Sequence, residues 1–357
     1  MRVREGLTEL RVPEEGVFFN PRMKLNRDLT CAAVRALGRV DFLDLLAASG
    51  AKGIRVAREC GAEVHLNDIN PEAVRVIKKN AELNGVEVSV SCCEANLLLT
   101  SVRGCFNFID VDPFGSPVRF TANAVAALPS KGYLAVTATD TAALCGVYPR
   151  ACLRKYGATP VRGELCKEAG LRILLGFLAH ECARYGRGMK VLFSHATDHY
   201  FRAVVEVRSG RRRADETLER LGMLLFCPAC GYREGIKGCI AGRCRCGHGL
   251  AVAGRLWLGG IADAEFVRLA GEKAEYLNDR RAERLLSVLA EEAEVEVPYF
   301  YDLHHIGRRR KTGRLAKVER VVERLREMGY RASRTHITPT GVRTNADYGV
   351  VEKLTTL

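Results

Sequence analysis

One short turn in this 357-residue chain carries groups suited to chemistry on an aromatic amine. Asp112-Pro113-Phe114-Gly115 follows the apolar run FNFIDVD at 106–112, which predicts a strand ending at Asp112. The amine of a nucleobase is a poor nucleophile because its lone pair is delocalised into the ring, so a catalyst has to accept the amine hydrogens. The Asp112 carboxylate and the Pro113 carbonyl can accept them, and Phe114 can stack on the base for about 1–3 kcal/mol. The alternative is an ordinary Asp-Pro turn without a ligand.

A nucleotide pocket is predicted upstream of this turn. The segment DLLAASGAKGIR at 44–55 places an acidic residue at the end of a strand, and small residues with Gly50 and Gly53 then let the backbone approach a ligand. Asp68 ends the next strand, where its carboxylate can accept hydrogen bonds from both ribose hydroxyls of a nucleoside. Because Ala48 replaces the first glycine of a GxGxxG pattern, three interpretations stay open: a dinucleotide, S-adenosylmethionine, or a tight turn without a ligand.

Two further features favour S-adenosylmethionine. Glu94-Ala95-Asn96 follows the third predicted strand, where a methyltransferase fold holds the adenine. The turn at 112–115 matches the signature of enzymes that methylate exocyclic amines of nucleobases, and a dehydrogenase has no use for it. The sequence therefore predicts methyl transfer to a nucleobase amine.

A cysteine cluster in the second half of the chain predicts a metal site. Four cysteines form two close pairs separated by 13 residues: Cys227, Cys230, Cys244 and Cys246. Four thiolates in this arrangement suit a tetrahedral structural zinc, and a disulfide or free thiols are the alternatives. The second pair is CxC rather than the commoner CxxC, so Cys239 or His248 can replace one of the four ligands.

The elements that must position these motifs alternate between strand-like and helical segments, which predicts a mostly parallel sheet. The predicted strands are 40–48, 62–68, 86–91, 106–112, 133–139, 189–196 and 201–209. A helix is predicted at 71–85, and the short turn at 198–200 predicts an antiparallel hairpin. Because the composition changes after RSGRRR (208–213), we expect a catalytic domain at 1–210 and a C-terminal domain at 211–357, with a cysteine-rich insert at 227–246.

Charge is the unusual part of the composition. Fifty-five Lys and Arg against 42 Asp and Glu leave a net charge of +13, and most of the bases are Arg, whose planar fork fits phosphate oxygens. Residues 304–334 contain 11 Lys or Arg and three Glu. This block, with a predicted helix at 313–329 and strand-like runs at 330–337 and 341–344, predicts nucleic-acid binding; a solvated face is the alternative. The expected phosphate contacts are Arg308, Arg309, Arg310, Lys311 and Arg314.

Composition also excludes two classes of protein. A hydrophobic fraction of 47% and a charged fraction of 27% are typical of a globular chain. No window reaches about 18 uncharged apolar residues, and the N-terminus lacks the apolar core of a signal peptide. We therefore expect a cytoplasmic protein with no membrane association, and the sequence implies no obligate protein partner.

The sequence resembles the archaeal type of the tRNA (guanine-26-N2)-dimethyltransferases, the family that makes N2,N2-dimethylguanosine in tRNA. The resemblance covers nearly the whole chain, and DPFGSP together with TATD is its most specific part. The strings that carry it are VFFNPRMKLNRD (17–28), GAKGIR (50–55), FIDVDPFGSP (108–117), VTATDTAALCG (136–146), PRACLRKYG (149–157), RGELCKE (162–168), DHYFRA (198–203), FYDLHHIGRR (300–309) and THITPTGVRT (335–344).

The resemblance implies an α/β chain with a Rossmann-like class I S-adenosylmethionine-dependent methyltransferase domain and a smaller α+β C-terminal domain. The zinc site expected in that second domain rests on the cysteine spacing alone. It implies methyl transfer to N2 of guanine 26 in tRNA, with that guanine turned out of its stack. The residues implied for the cofactor are Arg27, Arg55, Asp68, Glu94 and Ala95, and those implied for the guanine are Asp112 and Phe114. Glu94 departs from the Asp that the family carries before Ala. The alternatives are another nucleobase amine methyltransferase, acting on DNA adenine or a different RNA, and a non-enzymatic nucleic-acid binder that contains zinc.

Overall fold

The computed structural model describes residues 1–238, 242–311, 313 and 315–355. It begins with an antiparallel hairpin of β1 (Arg2–Glu5) and β2 (Thr8–Arg11). Seven strands then form the central sheet: β3 (Asp41–Asp44), β4 (Glu63–Asn67), β5 (Ser89–Ser91), β6 (Phe108–Val111), β7 (Lys131–Ala138), β8 (Arg187–Thr197) and β9 (Tyr200–Ser209). Their order is β5-β4-β3-β6-β7-β9-β8. Six strands run in one direction, and β9, between β7 and β8, runs antiparallel to both of its neighbours, so the predicted sheet and its hairpin are confirmed.

Helices cover both faces of this sheet. They are α1 (Lys24–Leu37), α2 (Ala51–Cys60), α3 (Pro71–Asn84), α4 (Ala95–Ser101), α5 (Val118–Ala127), α6 (Thr141–Leu144), α7 (Pro149–Tyr156) and α8 (Cys166–Arg184). The strand β6 is buried at all four positions because helices pack on both of its sides. The predicted helix at 71–85 is confirmed: the Asn70 side chain caps its first turn, and Gly85 ends it with φ +60°.

Two small antiparallel sheets and further helices follow. Their elements are α9 (Arg211–Leu218), β10 (Leu221–Phe226), β11 (Arg233–Ile236), β12 (Ala251–Trp257), α10 (Ala264–Ala274), α11 (Arg280–Ala293), β13 (Tyr301–Asp302), α12 (Leu303–Arg310), α13 (Val318–Glu327), β14 (Ala332–Arg334), β15 (Gly341–Thr344) and α14 (Tyr348–Thr355). One sheet has the order β11-β10-β12 and the other β13-β15-β14. None of the described helices is both long enough and apolar enough to cross a bilayer.

The apolar core continues across residue 210. Val267 on α10 and Leu286 on α11 belong to the same buried cluster as Leu29 of α1. Leu224 and Trp257 of the first small sheet belong to the cluster that contains Leu174 of α8. The boundary at residue 210 stays a prediction, and both sides of it are joined by shared packing.

Candidate active site

The sequence-predicted carboxylates meet at one edge of the central sheet. Asp44 is the last residue of β3, and Asp68 and Asp112 directly follow β4 and β6. The chain runs outward in opposite directions from β3 and β6, and open α/β sheets bind ligands in the crevice at such a switch point, outside the carboxyl ends of the strands. The fold therefore brings the predicted nucleotide and amine residues to one crevice.

The turn after β3 has the shape of a nucleotide-binding loop. Ala48 and Gly50 both adopt positive φ, at +48° and +77°, and the Ala48 N–H donates to Asp68 Oδ2 over 2.8 Å. A Cβ on Gly53 would lie 2.8 Å from Leu66 Cδ2, so only glycine lets α2 pack this closely against β4. The small residues therefore serve both the turn and the packing of the helix that follows it.

Asp68 is held at the rim of this loop. Its Oδ1 accepts from the Asn70 N–H over 2.9 Å, while Oδ2 takes the bond from Ala48. A carboxylate has about four acceptor sites, so Asp68 retains capacity for two hydroxyl donors. This geometry suits the predicted ribose contact.

Glu94 and Ala95 open α4 at the neighbouring strand end. Glu94 Oε2 caps the helix by accepting from the Leu97 N–H over 2.9 Å, and Ala95 is buried. Because the cap uses one oxygen, Oε1 is the atom of Glu94 that is left for a ligand; it also accepts a 3.3 Å bond from Asn96. The adenine contact stays a prediction.

Asp112 stands at the end of a row of buried charges. Lys52 Nζ donates to Asp112 Oδ2 over 2.6 Å and to Asp110 Oδ1 over 2.8 Å. The Arg202 guanidinium pairs with Asp110, which is fully buried. Burial alone would raise the pKa of Asp110, but Arg202 and Lys52 outweigh it and hold the pKa below its usual value.

Asp44 joins the same row from the other side. Burial raises its pKa to about 7, the carboxylates of Asp110 and Asp112 add to the shift, and Lys52 opposes it. Its Oδ2 accepts from the Gly53 N–H over 3.0 Å. The ammonium of Lys52 thus forms ion pairs with Asp110 and Asp112, and its charge also stabilises the ionised form of Asp44.

Two aromatic rings lie exposed beside Asp112. Phe114 is 75% exposed and Phe18 is 51% exposed, and their rings meet edge to face with centroids 4.5 Å apart. Large apolar side chains that stay uncovered mark a binding surface. A flat base can stack there within reach of the Asp112 carboxylate.

The TATD segment supports the turn that carries Phe114. The Thr139 hydroxyl accepts from the Gly115 N–H over 2.7 Å. The Tyr156 hydroxyl donates to Asp140 over 2.7 Å and accepts from Ser116 over 3.0 Å. These bonds tie the turn after β6 to the end of β7 and to α7.

Arg27 and Arg55 lie deeper than the crevice. Arg27 pairs with Glu5, with its Nε 2.7 Å from Oε2. Arg55 has no exposed side-chain surface, and Asp28 and Glu59 accept its hydrogen bonds over 2.6–2.9 Å. Their predicted contact with the cofactor is not explained by this geometry, which instead fixes α1, α2 and the N-terminal hairpin against one another.

Motif reasoning missed Lys52, Phe18 and Arg202. All three lie in segments that carry the family resemblance: GAKGIR, VFFNPRMKLNRD and DHYFRA. Their roles depend on contacts between segments 60 to 100 residues apart, which the spacing along the chain does not indicate.

The four predicted zinc ligands converge in the loops of the first small sheet. Their sulfur atoms all lie within 4.8 Å of one another, with Cys227 and Cys246 at 3.6 Å and Cys230 and Cys244 at 3.4 Å. Tetrahedral zinc with Zn–S bonds of about 2.3 Å requires sulfur atoms about 3.8 Å apart, so the cluster fits this metal. His248 Nδ1 lies 3.6 Å from Cys246 Sγ, and Cys239 is outside the described residues.

The structure gives Arg309 a partner within the protein, and its predicted phosphate contact stays a prediction. Its guanidinium pairs with buried Glu164 and lies 5.9 and 5.8 Å from the rings of Phe226 and Tyr348. The side chain therefore anchors α12 to the rest of the molecule. Of the other predicted phosphate contacts, the first three are exposed and the last is outside the described residues: Arg308, Arg310, Lys311 and Arg314.

Comparisons with known proteins agree with this geometry. The family model described as N2,N2-dimethylguanosine tRNA methyltransferase matches residues 2–356. The tRNA (guanine(26)-N(2))-dimethyltransferase of Pyrococcus horikoshii is 41% identical, with 98% of this chain and 96% of that protein covered. The enzyme of the same name from Methanothermobacter thermautotrophicus is also 41% identical, with 99% and 97% covered. The solved structure of Trm1 from Pyrococcus horikoshii with S-adenosyl-L-methionine is 40% identical, covers 100% of both chains and superposes with a TM-score of 0.91.

Proposed function

The chain belongs to the N2,N2-dimethylguanosine tRNA methyltransferase family, and from this we propose that it transfers methyl groups from S-adenosylmethionine to the exocyclic N2 of guanine 26 in tRNA. One observation of the site carries the proposal most directly. Asp112 lies next to two exposed aromatic rings at the same crevice as Asp68. The crevice thus combines a hydrogen-bond acceptor for an amine, a stacking surface for its ring and a carboxylate for a ribose.

The cofactor would occupy the glycine turn. Asp68 would accept hydrogen bonds from the ribose hydroxyls, and Glu94 and Ala95 would border the adenine. S-adenosylmethionine supplies an electrophilic methyl group when it is bound. We propose that Arg27 and Arg55 act on this pocket by positioning α1 and α2, because their guanidinium groups are already paired with buried carboxylates.

On the base, the Asp112 carboxylate and the Pro113 carbonyl would accept the hydrogens of the amine. Asp112 would accept a hydrogen bond from the N2 amine, which draws electron density onto the nitrogen. The new N–C bond would form as the methyl–sulfur bond of the sulfonium breaks, with S-adenosylhomocysteine as the leaving group. The amine becomes cationic during transfer, and the Asp112 carboxylate then collects one of its protons. Lys52 positions this carboxylate, and Phe114 with Phe18 holds the guanine plane, so catalysis depends mainly on alignment.

The cysteine cluster would hold zinc as a structural metal. Four thiolates fill all positions of a tetrahedral ion and leave none for a substrate. The cluster lies in the loops joining β10, β11 and β12, a sheet that packs on α8. We propose that the part of the chain after residue 210, including this sheet, binds the body of the tRNA, and that the enzyme works in the cytoplasm.

Methylation of a defined transcript tests this function. The purified chain alone is incubated with S-adenosylmethionine and a tRNA transcript that carries guanine at position 26, and the nucleosides are separated by mass. We expect N2-methylguanosine followed by N2,N2-dimethylguanosine, and neither product from a transcript with adenine at position 26. Methylated guanosine from the transcript with adenine at position 26, or none from the transcript with guanine there, would contradict the proposal.

A further inference from the structure

A second basic segment lies beside the crevice. Residues 141–163 contain four Lys or Arg and no Asp or Glu. The block at 304–334 has the larger excess of positive charge, yet several of its cations are spent on acidic partners, among them Arg309 with Glu164 and Arg310 with Glu352. The segment 141–163 is therefore also a candidate surface for binding a polyanion.

The helix α7 presents two of these cations on one face. Cys152 and Tyr156 are buried, whereas Arg150 and Arg154 are exposed. Residues two positions apart are about 200° apart around a helix with 3.6 residues per turn. The two arginines therefore share the face opposite the buried one, one turn apart, and point away from the protein.

Among the described residues, these arginines have no acidic partner. Neither Arg150 nor Arg154 forms an ion pair with any residue that the structure describes, and the same holds for Arg162. The stem of Arg162 reaches the start of the segment, because a Cβ on Gly146 would lie 3.0 Å from its Cγ. Three guanidinium groups are thus available to one anionic ligand.

The position of α7 is fixed relative to the base-binding turn. Tyr156 at the end of the helix bonds to both Ser116 and Asp140, and Lys155 pairs with Asp140 over 2.9 Å. Ser116 is two residues from Phe114, so the helix is hydrogen-bonded directly to the turn that carries the stacking surface. Tyr148, which precedes the helix, is 63% exposed and gives the segment an exposed aromatic ring.

We propose that Arg150 and Arg154, assisted by Arg162, bind phosphates of the tRNA strand that flanks the target guanine. This inference rests on the proposed function, because a base that stacks on Phe114 brings its own backbone to the surface beside the turn. Guanidinium groups suit phosphate oxygens through paired hydrogen bonds. Exposed arginines next to exposed rings are also the composition with which proteins hold single-stranded RNA, and it favours RNA over an acidic protein segment.

The double variant R150A/R154A tests the proposal through the salt dependence of tRNA binding. Each lost phosphate contact reduces the slope of log K against log salt by about 0.7–0.9. We expect the slope to fall by about 1.5, the tRNA Kd at near-physiological salt to rise about tenfold, and the affinity for S-adenosylhomocysteine to stay unchanged. In methyl transfer, KM for tRNA should rise while kcat at saturating tRNA stays within about threefold of the unmodified enzyme.

A matched control removes the same charge at the opposite edge of the sheet. Arg39 and Arg103 are exposed and precede β3 and β6 at their amino ends, so R39A/R103A should leave the slope and KM nearly unchanged. The proposal is overturned if the two double variants behave alike, or if R150A/R154A lowers kcat without raising KM, which would indicate damage to the turn. Failure of the unmodified chain to methylate tRNA would instead overturn the proposed function, so the two failures are distinguishable.

Discussion

Asp110 and Asp112 share one ammonium group but meet different surroundings. Asp110 is fully buried and paired with both Lys52 and Arg202, whereas the side chain of Asp112 keeps 20% of its surface exposed at the crevice. Asp110 therefore fixes the positions of Lys52 and Arg202, and Lys52 orients the carboxylate of Asp112, which faces the substrate. Two neighbouring acids on one strand end thus perform separate tasks.

Asp112→Ala is expected to lower kcat about 10²- to 10⁴-fold, the range for loss of a group that handles a proton. Lys52 keeps its ion pair with Asp110 in this variant, so the fold and the cofactor pocket should persist. Single-turnover methylation of tRNA measures the effect, with calorimetry of S-adenosylhomocysteine as the control. Asp112→Asn should retain more activity than Asp112→Ala because its amide oxygen still accepts a hydrogen bond. Near-normal turnover by the alanine variant would remove Asp112 from the mechanism.

The raised pKa of Asp44 makes the free energy of unfolding depend on pH. Its pKa is raised to about 7 in the folded protein, so the folded state holds this proton more tightly than the unfolded state, where the pKa is about 3.9. Stability from this group is therefore greatest at low pH and falls as the pH rises from about 4 to 7. Asp44→Asn removes the charge but keeps an acceptor for the Gly53 N–H.

The measurement is the unfolding temperature of both proteins between pH 4.5 and 8.5. Relative to the unmodified protein, Asp44→Asn should gain stability steadily up to about pH 7 and by a constant amount above it. A difference that does not change with pH would show that Asp44 is ionised throughout.

Single motifs were sufficient to identify Asp112, Phe114 and Asp68 as residues of one crevice, because the carboxyl ends of parallel strands share an edge. They were insufficient for Phe18, which lies nearly a hundred residues before Phe114 and contacts it only after folding. Charge counting likewise did not indicate that Arg309 pairs with the buried carboxylate of Glu164. The sequence thus does not indicate which residues far apart along the chain come into contact after folding.

At the scale of elements, the supports of the base-binding turn come from the segments on either side of α6. Asp140 ends the TATD segment and accepts a hydrogen bond from Tyr156 at the end of α7, and the Tyr156 hydroxyl in turn accepts one from Ser116. Elements with strong local signals agree with the sequence, as the cap and glycine stop of α3 show. Elements with weak signals are shorter than predicted: β5 begins at Ser89, and α13 begins at Val318, where its apolar residues first turn inward.

Removal of the metal is predicted to weaken the small sheet and spare the chemistry. The four thiolates lie in the loops of β10, β11 and β12 and no carboxylate of the crevice belongs to the cluster, within the described residues. Cys230→Ser should lower the zinc content well below about one per chain and reduce the unfolding temperature by several degrees. Below that temperature, kcat should change less than about threefold.

Metal analysis and thermal unfolding supply the measurements, with the exposed Cys105→Ser as the matched control. The control should keep both its zinc and its unfolding temperature. Equal zinc contents in the two variants would contradict the assigned ligands.

At the scale of the whole molecule, the later segments complete the core of the earlier ones. The helices α10 and α11 pack their apolar faces against α1 and the sheet, and Lys24 on α1 pairs with Asp279 at the start of α11. A buried ion network adds a second link, because Arg343 on β15 bonds to Glu168 of α8 over 2.7 Å and to Glu292 of α11 over 3.1 Å. Removal of one partner leaves a buried charge uncompensated, which costs about 3–5 kcal/mol.

We therefore expect the full chain to unfold in a single cooperative transition, and the fragment 1–210 to lack a stable core. That fragment would expose the apolar surface that α10 and α11 cover and would leave Glu168 without Arg343. Calorimetry should give equal calorimetric and van't Hoff enthalpies for the full chain. The fragment should bind a hydrophobic dye and lack a sharp transition. The fragment 1–300 also lacks Arg343 but keeps α10 and α11 over the apolar surface, so it should regain a transition at a lower temperature than the full chain. A fragment 1–210 that melts sharply and binds S-adenosylhomocysteine would contradict this expectation, and it would establish residue 210 as the end of an autonomous catalytic domain.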